Sequence, residues 1–376
     1  MATGEERPLA VVIAGGGTGG HLYPGIAVAR EVLRRRPDAR VSFAGTTRGL
    51  EARVIPREGF ALDLIRSAGL KGKSLTARLR GAWLVPVGLS DAWRLLSRRR
   101  PDVVIGVGGY SSGPVVLMAA LRGTPTMVLE QNAVPGLTNR LLARWVRAAA
   151  VTYQETLAYF RGRGFVSGNP VRAEFFAGRE SPIGQLAGTT GASRRPRVVV
   201  LGGSQGAHAI NVAVMAAAAQ LVRQRPGLEL VHQTGERDLA DVRAQYERDG
   251  VEARTAPFLD AVAREMTEAD LVIGRAGATT LAELAAAGRP AVLVPFPAAT
   301  DDHQRKNARV LAEAGAAVVI DERDLTPERL LEVVQRLLAD RAQIEAMGQA
   351  MRGFARPRAA ADIVDRLEAL AGEKRP

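Results

Sequence analysis

Leu9-Ala10-Val11-Val12-Ile13-Ala14 runs without a polar residue into Gly15-Gly16-Gly17-Thr18-Gly19-Gly20-His21, and the same order returns where Val198-Val199-Val200-Leu201 runs into Gly202-Gly203-Ser204-Gln205-Gly206-Ala207. A short apolar run ending in glycines reads as a buried strand that turns sharply into a helix. One such loop is a weak sign of phosphate binding. Two of them suggest two nucleotide-fold halves facing each other across a cleft. The second loop lacks the dinucleotide spacing.

Working outward from the first loop, Leu9 to Ala14, Arg40 to Ala44, Val103 to Val107 and Pro125 to Leu129 read as strands separated by amphipathic helices. That alternation predicts a parallel sheet with helices on both faces. The Gly-, Ser-, Thr- and Pro-containing segment from Gly178 to Pro196 breaks the pattern and reads as a linker or loop region. A second alternation follows, with strands at Val198 to Leu201, Leu228 to His232, Leu271 to Gly274, Ala291 to Val294 and Ala317 to Ile320. Thr326-Pro327 supplies an N-cap and a first-turn proline for a helix that continues with paired apolar residues from Leu330 to Leu338.

The 376 residues are enough for two domains with separate cores. No uncharged apolar run of 18 residues occurs, and Glu5, Glu6 and Arg7 stand where a secretion signal needs a basic region and an apolar stretch. The chain is therefore expected neither to span a membrane nor to be secreted. The absence of cysteine excludes disulfides and thiolate metal sites and agrees with a cytoplasmic location. A net charge of +12 attracts polyanions of any kind, but with aromatic residues at 5% and no stripe interleaving them with Lys and Arg, nucleic acid is not an expected partner.

In open parallel sheets ligands bind beyond the carboxyl ends of the strands, and the unusual residues of this chain gather there. His21 stands where a helix begins. A helix N-terminus disfavours imidazolium, so His21 is either a neutral general base or a residue that only hydrogen-bonds the loop. Tyr110, in Gly106-Val107-Gly108-Gly109-Tyr110-Ser111-Ser112-Gly113-Pro114, either orients a substrate hydroxyl or covers its loop. Glu130-Gln131-Asn132 offers a carboxylate and two amides where a sugar needs donors and acceptors. In the second half, Ser204 and the neighbouring amides make a cradle for a diphosphate at a helix start. Gly274-Arg275-Ala276-Gly277-Ala278-Thr279-Thr280-Leu281-Ala282-Glu283 opens a further helix. Glu283, placed in or near its first turn, either satisfies the dipole or accepts both hydroxyls of a ribose. Arg172 reaches a phosphate or bridges the domains. Asp301-Asp302-His303-Gln304 offers too few ligands for a defined metal site, so no metal is expected. Lys71, Lys73, Arg78 and Arg80 flank Leu75, Leu79 and Trp83, which share a helical face that is either core-facing or membrane-facing.

Together, Gly-Gly-Thr-Gly-Gly-His21, Gly-Gly-Tyr110, Glu130-Gln131-Asn132 with Gly136-Leu137-Thr138-Asn139, Gly168-Asn169-Pro170-Val171-Arg172, Gly-Gly-Ser204-Gln205-Gly206-Ala207, and Gly288 ahead of Pro295-Phe296 resemble the MurG family of bacterial peptidoglycan glycosyltransferases. The match runs in order from about Leu9 to Leu367. It implies an α/β chain of the GT-B type, two Rossmann-like doubly wound parallel-sheet domains. Residues 1–169 would serve the acceptor and membrane and 170–356 would bind UDP-GlcNAc. A C-terminal helix over about 357–376 would pack back on the first domain.

The resemblance further implies inverting transfer of N-acetylglucosamine from UDP-GlcNAc to the 4-hydroxyl of the muramyl sugar of lipid I (undecaprenyl-diphospho-MurNAc-pentapeptide), giving lipid II. Thr18, Gly19, His21 and Tyr110 would face the acceptor. Arg172, Ser204, Gln205, Ala278, Thr279, Thr280 and Glu283 would bind the donor nucleotide, with Asn132 and Gln304 toward the donor sugar. His303 stands where some members carry a second Gln. His21 is the leading base and Glu130 the alternate. Helix-terminal amides with Arg172 would receive the leaving diphosphate, so no cation is obligatory and a divalent ion is at most stimulatory. With a polyprenyl acceptor, the basic charge and the Leu75, Leu79, Trp83 face predict peripheral binding to the anionic inner membrane from the cytoplasmic side. The rivals are a UDP-N-acetylglucosamine epimerase of the same architecture and a dinucleotide-dependent oxidoreductase. The second would need an acidic residue after Val41-Ser42-Phe43-Ala44, where Gly45-Thr46-Thr47 stands.

Overall fold

A computed structural model describes residues 7–47, 49–67, 75–177, 195–203 and 206–373, without the side chains of 75–85 and of Thr300. The chain divides into two compact units, Met1–Val171 with Arg358–Pro376, and Arg172–Pro357.

The first unit holds β1 (Ala10–Gly15), β2 (Arg40–Gly45), β3 (Ala61–Leu64), β4 (Val103–Gly108), β5 (Thr126–Glu130), β6 (Ala148–Val151) and β7 (Gly164–Val166). They form one parallel sheet in the order β3-β2-β1-β4-β5-β6-β7. Its helices are α1 (Gly19–Arg35), α2 (Glu51–Arg57), α3 (Leu75–Arg99), α4 (Ser112–Leu121) and α5 (Leu137–Leu142). β1 and β4 are buried along their whole length. That is why they read as unbroken apolar runs rather than alternating ones: helices cover both faces of the sheet.

The second unit holds β8 (Arg197–Leu201), β9 (Glu229–Gln233), β10 (Ala253–Ala256), β11 (Leu271–Gly274), β12 (Ala291–Leu293) and β13 (Ala317–Val319), parallel in the order β10-β9-β8-β11-β12-β13. Its helices are α6 (His208–Gln224), α7 (Leu239–Arg248), α8 (Val262–Glu268), α9 (Ala278–Ala287), α10 (His303–Glu313), α11 (Pro327–Ala339) and α12 (Arg341–Arg352). Thr326 caps α11 by accepting from the Arg329 amide at 3.2 Å, with Pro327 in the first turn.

α13 (Ala359–Gly372) returns to the first unit and packs on α1. Ile363, Val364, Leu367 and Leu370 are fully buried in the same core as Leu9, Val11 and Ile26. Around them Arg35 donates to Asp365 at 2.6 Å and to the Ala361 carbonyl at 3.0 Å.

All nine strands read from the sequence are present, and four more join them: β3, β6, β7 and β10. Three of these are short edge strands, and edge position removes the two-sided burial that produces an apolar run. β6 is Ala-Ala-Ala-Val, three of whose four residues have weak strand propensity, and it is paired on both sides, by β5 and β7. Of the linker segment Gly178–Pro196, residues 178–194 lie outside the described residues.

Each sheet reverses its strand order once, between β1 and β4 and between β8 and β11. In doubly wound sheets the crevice beyond such a reversal is the ligand site, and both glycine loops leave their sheets there.

Candidate active site

In the first unit the loop after β1 is pressed against the loop after β4. The Gly16 amide donates to the Gly108 carbonyl at 3.4 Å. A Cβ on Gly109 would lie 2.5 Å from the Gly16 carbonyl oxygen, and one on Gly15 would lie 2.5 Å from that of Gly108. Only glycine permits this approach, and Gly108 and Gly109 also hold φ near 98° and 81°. In the second turn of α1, Gly25 faces Ile13 and Val107, and a Cβ there would be 3.2 Å from each, so the helix runs close over both strands.

His21 lies in the first turn of α1, half-buried, with its ring over Gly108. Its Nδ1 is 3.3 Å from the Thr18 hydroxyl, and its backbone amide donates to the Thr18 carbonyl at 3.3 Å. Thr18 and Gly19 thus open the helix beside the ring. Tyr110, exposed, follows Gly109, and its carbonyl accepts from the Ser67 hydroxyl at 2.9 Å. The structure therefore brings Thr18, Gly19, His21 and Tyr110 to one place.

Glu130 ends β5 and is 3% exposed. Its Oε1 accepts from the Asn132 amide and side-chain Nδ2, both at 3.0 Å, and its Oε2 accepts from the Gly136 amide at 3.0 Å and from Asn139 Nδ2 at 2.9 Å. Burial pushes its pKa up, against four N–H donors that favour the carboxylate. Both oxygens are committed to the loop from Asn132 to Asn139. This is the geometry of a clasp, and it weakens the case for Glu130 as the alternate base.

In the second unit the glycine loop keeps Gly203 and Gly206 at φ near 73° and 75°, and a Cβ on Gly206 would lie 2.9 Å from the Thr234 carbonyl oxygen. Ser204 and Gln205 lie outside the described residues. Below the loop runs a polar chain: His208 Nδ1 to Asp238 at 3.0 Å, Asp238 to Asn211 at 2.8 Å, Asn211 to His232 Nε2 at 3.0 Å, and His232 Nδ1 to the Tyr246 hydroxyl at 2.8 Å. Burial pushes the His232 pKa down to about 4, so this ring is neutral and serves the core. Gln233 Nε2 donates to the Gly203 carbonyl at 3.2 Å and fixes the loop from the other side.

Across the reversal, α9 starts at Ala278 with Gly277 as its N-cap, no side-chain cap and no acid in its first turn. Ala278, Thr279 and Thr280 form that turn. Glu283 lies one turn further along, near rather than in the first turn, where a carboxylate gains little from the dipole. Half-buried, it has its pKa pushed up to about 7 by desolvation, with Arg172 pulling it down and Glu174 pushing it up. Arg172 pairs with Glu174 at 2.9 Å and lies over the Phe175 ring at 5.1 Å. Gln304 Oε1 accepts from the Ala276 amide at 3.2 Å and the Phe296 amide at 3.0 Å. Its carbonyl end ties two loops together. Beside it His303 is 3.8 Å from Asp301, and Asp301 and Asp302 hold φ near 55° and 56°.

One residue with a role in the site escaped the sequence reading. Glu51, the first residue of α2 and 1% exposed, accepts from the Gly17 amide at 2.7 Å and from the Thr46 amide and hydroxyl at 2.8 and 2.9 Å. Burial would raise its pKa, but these donors hold it below the usual carboxylate range. The available signal was the pair Gly45 and Gly49 around an acid at a helix start. Leu75, Leu79 and Trp83 fall on the first half of α3, but their side chains lie outside the described residues, as do Lys71 and Lys73.

Two doubly wound parallel sheets, each with a glycine loop at its reversal, make up the GT-B class of fold. Residues 11–151 match the glycosyltransferase family 28 N-terminal domain, and residues 197–366 match the family 28 C-terminal domain. A relative from Anaeromyxobacter sp. (strain K) is 47% identical over 356 residues, covering 94% of this chain and 91% of the relative. It is a UDP-N-acetylglucosamine–N-acetylmuramyl-(pentapeptide) pyrophosphoryl-undecaprenol N-acetylglucosamine transferase. The crystal structure of Acinetobacter baumannii MurG superposes with a TM-score of 0.78 at 30% identity, covering 96% of this chain and all of that one. The chain belongs to this family, the MurG transferases within glycosyltransferase family 28. A UDP-N-acetylglucosamine 2-epimerase from Listeria monocytogenes, with a TM-score of 0.66 at 15% identity over 98% of each chain, shares the fold alone. The epimerase and oxidoreductase alternatives are thereby set aside.

Proposed function

We propose that this chain transfers N-acetylglucosamine from UDP-GlcNAc to the 4-hydroxyl of the muramyl sugar of lipid I, with inversion, to make lipid II. The observation that carries it is the similarity to transferases of that name along both units. His21 takes the proton of the acceptor hydroxyl as its oxygen attacks the anomeric carbon from the face opposite UDP. The new C–O bond forms while the bond to the diphosphate breaks, and UDP leaves with the electron pair. For this role the ring carries its proton on Nδ1, toward the Thr18 hydroxyl 3.3 Å away, and its lone pair on Nε2. Thr18, Gly19 and Tyr110 hold the acceptor. The loop at Ser204 and Gln205, the first turn of α9 at Ala278, Thr279 and Thr280, and Arg172 take up the leaving charge, so turnover needs no obligatory cation. Asn132 and the amide end of Gln304 orient the donor sugar.

The acceptor is anchored in lipid, so the enzyme works peripherally at the cytoplasmic face of the anionic inner membrane. Support comes from the net charge of +12 and the basic, apolar start of α3 at Leu75, Leu79 and Trp83. Among the described residues no helix is long and apolar enough to cross a membrane.

Transfer of labelled N-acetylglucosamine from UDP-GlcNAc to a lipid I analogue, with and without EDTA, tests this function. Acceptor-dependent disaccharide in both conditions is the expected result. UDP release without disaccharide would assign the donor site to another acceptor, and loss of turnover in EDTA would return a metal to the mechanism.

Glu283 is assigned to the ribose hydroxyls, which a carboxylate accepts best. With a pKa of about 7 in the unliganded chain, the group gains a proton as pH falls, and binding must then displace it. UDP-GlcNAc affinity is expected to fall about tenfold from about pH 8 to pH 6, the ratio of ionised fractions for such a group. Calorimetry on the wild type and on Glu283→Gln checks this. The amide variant should bind more weakly by about 1.5–3 kcal/mol and lose the pH dependence. A pH slope kept in the variant would assign it to another group.

A further inference from the structure

Three glycines surround Glu51 for a reason visible in its contacts. A Cβ on Gly16 would lie 2.4 Å from Glu51 Oε2, one on Gly49 would lie 2.0 Å from the same atom, and one on Gly45 would lie 2.5 Å from Glu51 Cγ. Three glycines on two chain segments, the β1 loop and the β2–α2 connection, leave side chains out so that one carboxylate can sit between them. Oε2 holds the amide of Gly17, the residue immediately before Thr18, and Oε1 holds Thr46 by amide and hydroxyl. On the opposite side the Gly16 amide is held by the Gly108 carbonyl. The β1 loop is thus clamped from the start of α2 by Glu51 and from the end of β4 by Gly108, and the next residues include the Thr18 and His21 pair. The Gly17 amide donates inward, to a carboxylate behind the loop. At Gly17 this loop offers an incoming phosphate no donor, and it presents a buried negative charge instead.

We propose that Glu51 is a positioning residue for His21, fixing through Gly17 and Thr18 where the ring stands against the acceptor hydroxyl. This rests on the assignment of His21 as base. At 1% exposed, Glu51 turns its carboxylate to the backbone of the chain rather than to solvent. Its effect travels from Gly17, a glycine held at φ near 88°, through Thr18 into the first turn of α1. Loss of the clamp leaves the base in place chemically but displaced, and displacements near 1 Å cost on the order of 10²-fold in rate.

The test uses Glu51→Gln and Thr46→Val, each alone and combined with His21→Ala, in the full chain. Glu51→Gln keeps the shape and replaces an acceptor oxygen by an amide that cannot accept. It is expected to lower kcat toward a lipid I analogue on the order of 10²-fold with KM for UDP-GlcNAc unchanged. In the His21→Ala background it should add almost nothing, because residues that act as a unit are not additive. A second readout needs no substrate: the His21 ring signals in NMR, assignable because the chain has four histidines, should move in Glu51→Gln. If Glu51→Gln fails to fold, Thr46→Val keeps the carboxylate, removes one donor, and should move the same signals by less. Multiplicative losses with His21→Ala, or unmoved ring signals in a folded variant, overturn the proposal. If the wild type transfers no sugar, the assigned function fails, while the ring signals still decide whether Glu51 positions His21.

Discussion

Replacing His21 with alanine is expected to lower kcat for lipid I about 10²- to 10⁴-fold, the range that a positioned general base contributes, with affinity for UDP-GlcNAc unchanged. The ring belongs to the first unit, held by Thr18 and lying over Gly108, and the residues assigned to the nucleotide belong to the second. A base removed from the acceptor side leaves the donor contacts intact, so kcat and kcat/KM for the acceptor should fall together. Steady-state kinetics with each substrate varied, and calorimetry with UDP-GlcNAc, make the measurement. A large loss of donor affinity would mean that His21 serves the nucleotide. Near-normal kcat would return the base role to Glu130, whose two oxygens would then have to break bonds to Asn132, Gly136 and Asn139 before taking a proton.

Truncation after residue 357 is expected to abolish cooperative folding of the first unit. α13 contributes Ile363, Val364, Leu367 and Leu370, all fully buried in the core shared with β1 and α1. At about 1.5–3 kcal/mol for each buried side chain, the four are worth about 6–12 kcal/mol, an upper estimate that still matches the whole stability of an ordinary domain. The truncation also leaves Arg35 without Asp365 and the Ala361 carbonyl. Differential scanning calorimetry should show one of two unfolding transitions lost, while UDP-GlcNAc still binds to the second unit. The milder Leu367→Ala should cost about 2–5 kcal/mol and lower only the first unit's transition. Two unchanged transitions in the truncated chain would show that α13 is an accessory, not part of the core.

Both expectations depend on how far local sequence can be read. Val198 to Leu201 and Leu9 to Ala14 announce buried strands because a strand covered on both faces must be apolar throughout, and the glycines after them announce close backbone approach. Those are properties of a few adjacent residues. The edge strands β3, β7 and β10 have no such signature, since half their surroundings are not sheet. Glu283 could be read only as in or near the first turn of its helix, because helix starts are not legible to a residue when the N-cap is glycine rather than a capping side chain.

Two doubly wound halves, the glycine loops at their carboxyl ends and the family were determined by the sequence alone, because short runs and ordered motifs survive without knowledge of what they pack on. Tertiary structure decided what particular polar atoms do. Glu51 reaches the amide of a residue 34 positions away, Gln304 ties Ala276 to Phe296 through one oxygen, and Glu130 turns both oxygens onto its own loop. An acid, an amide and another acid look alike in sequence whether they face a ligand or a backbone. The difference lies in which N–H groups the fold brings within 3 Å, and only the packed chain sets that distance.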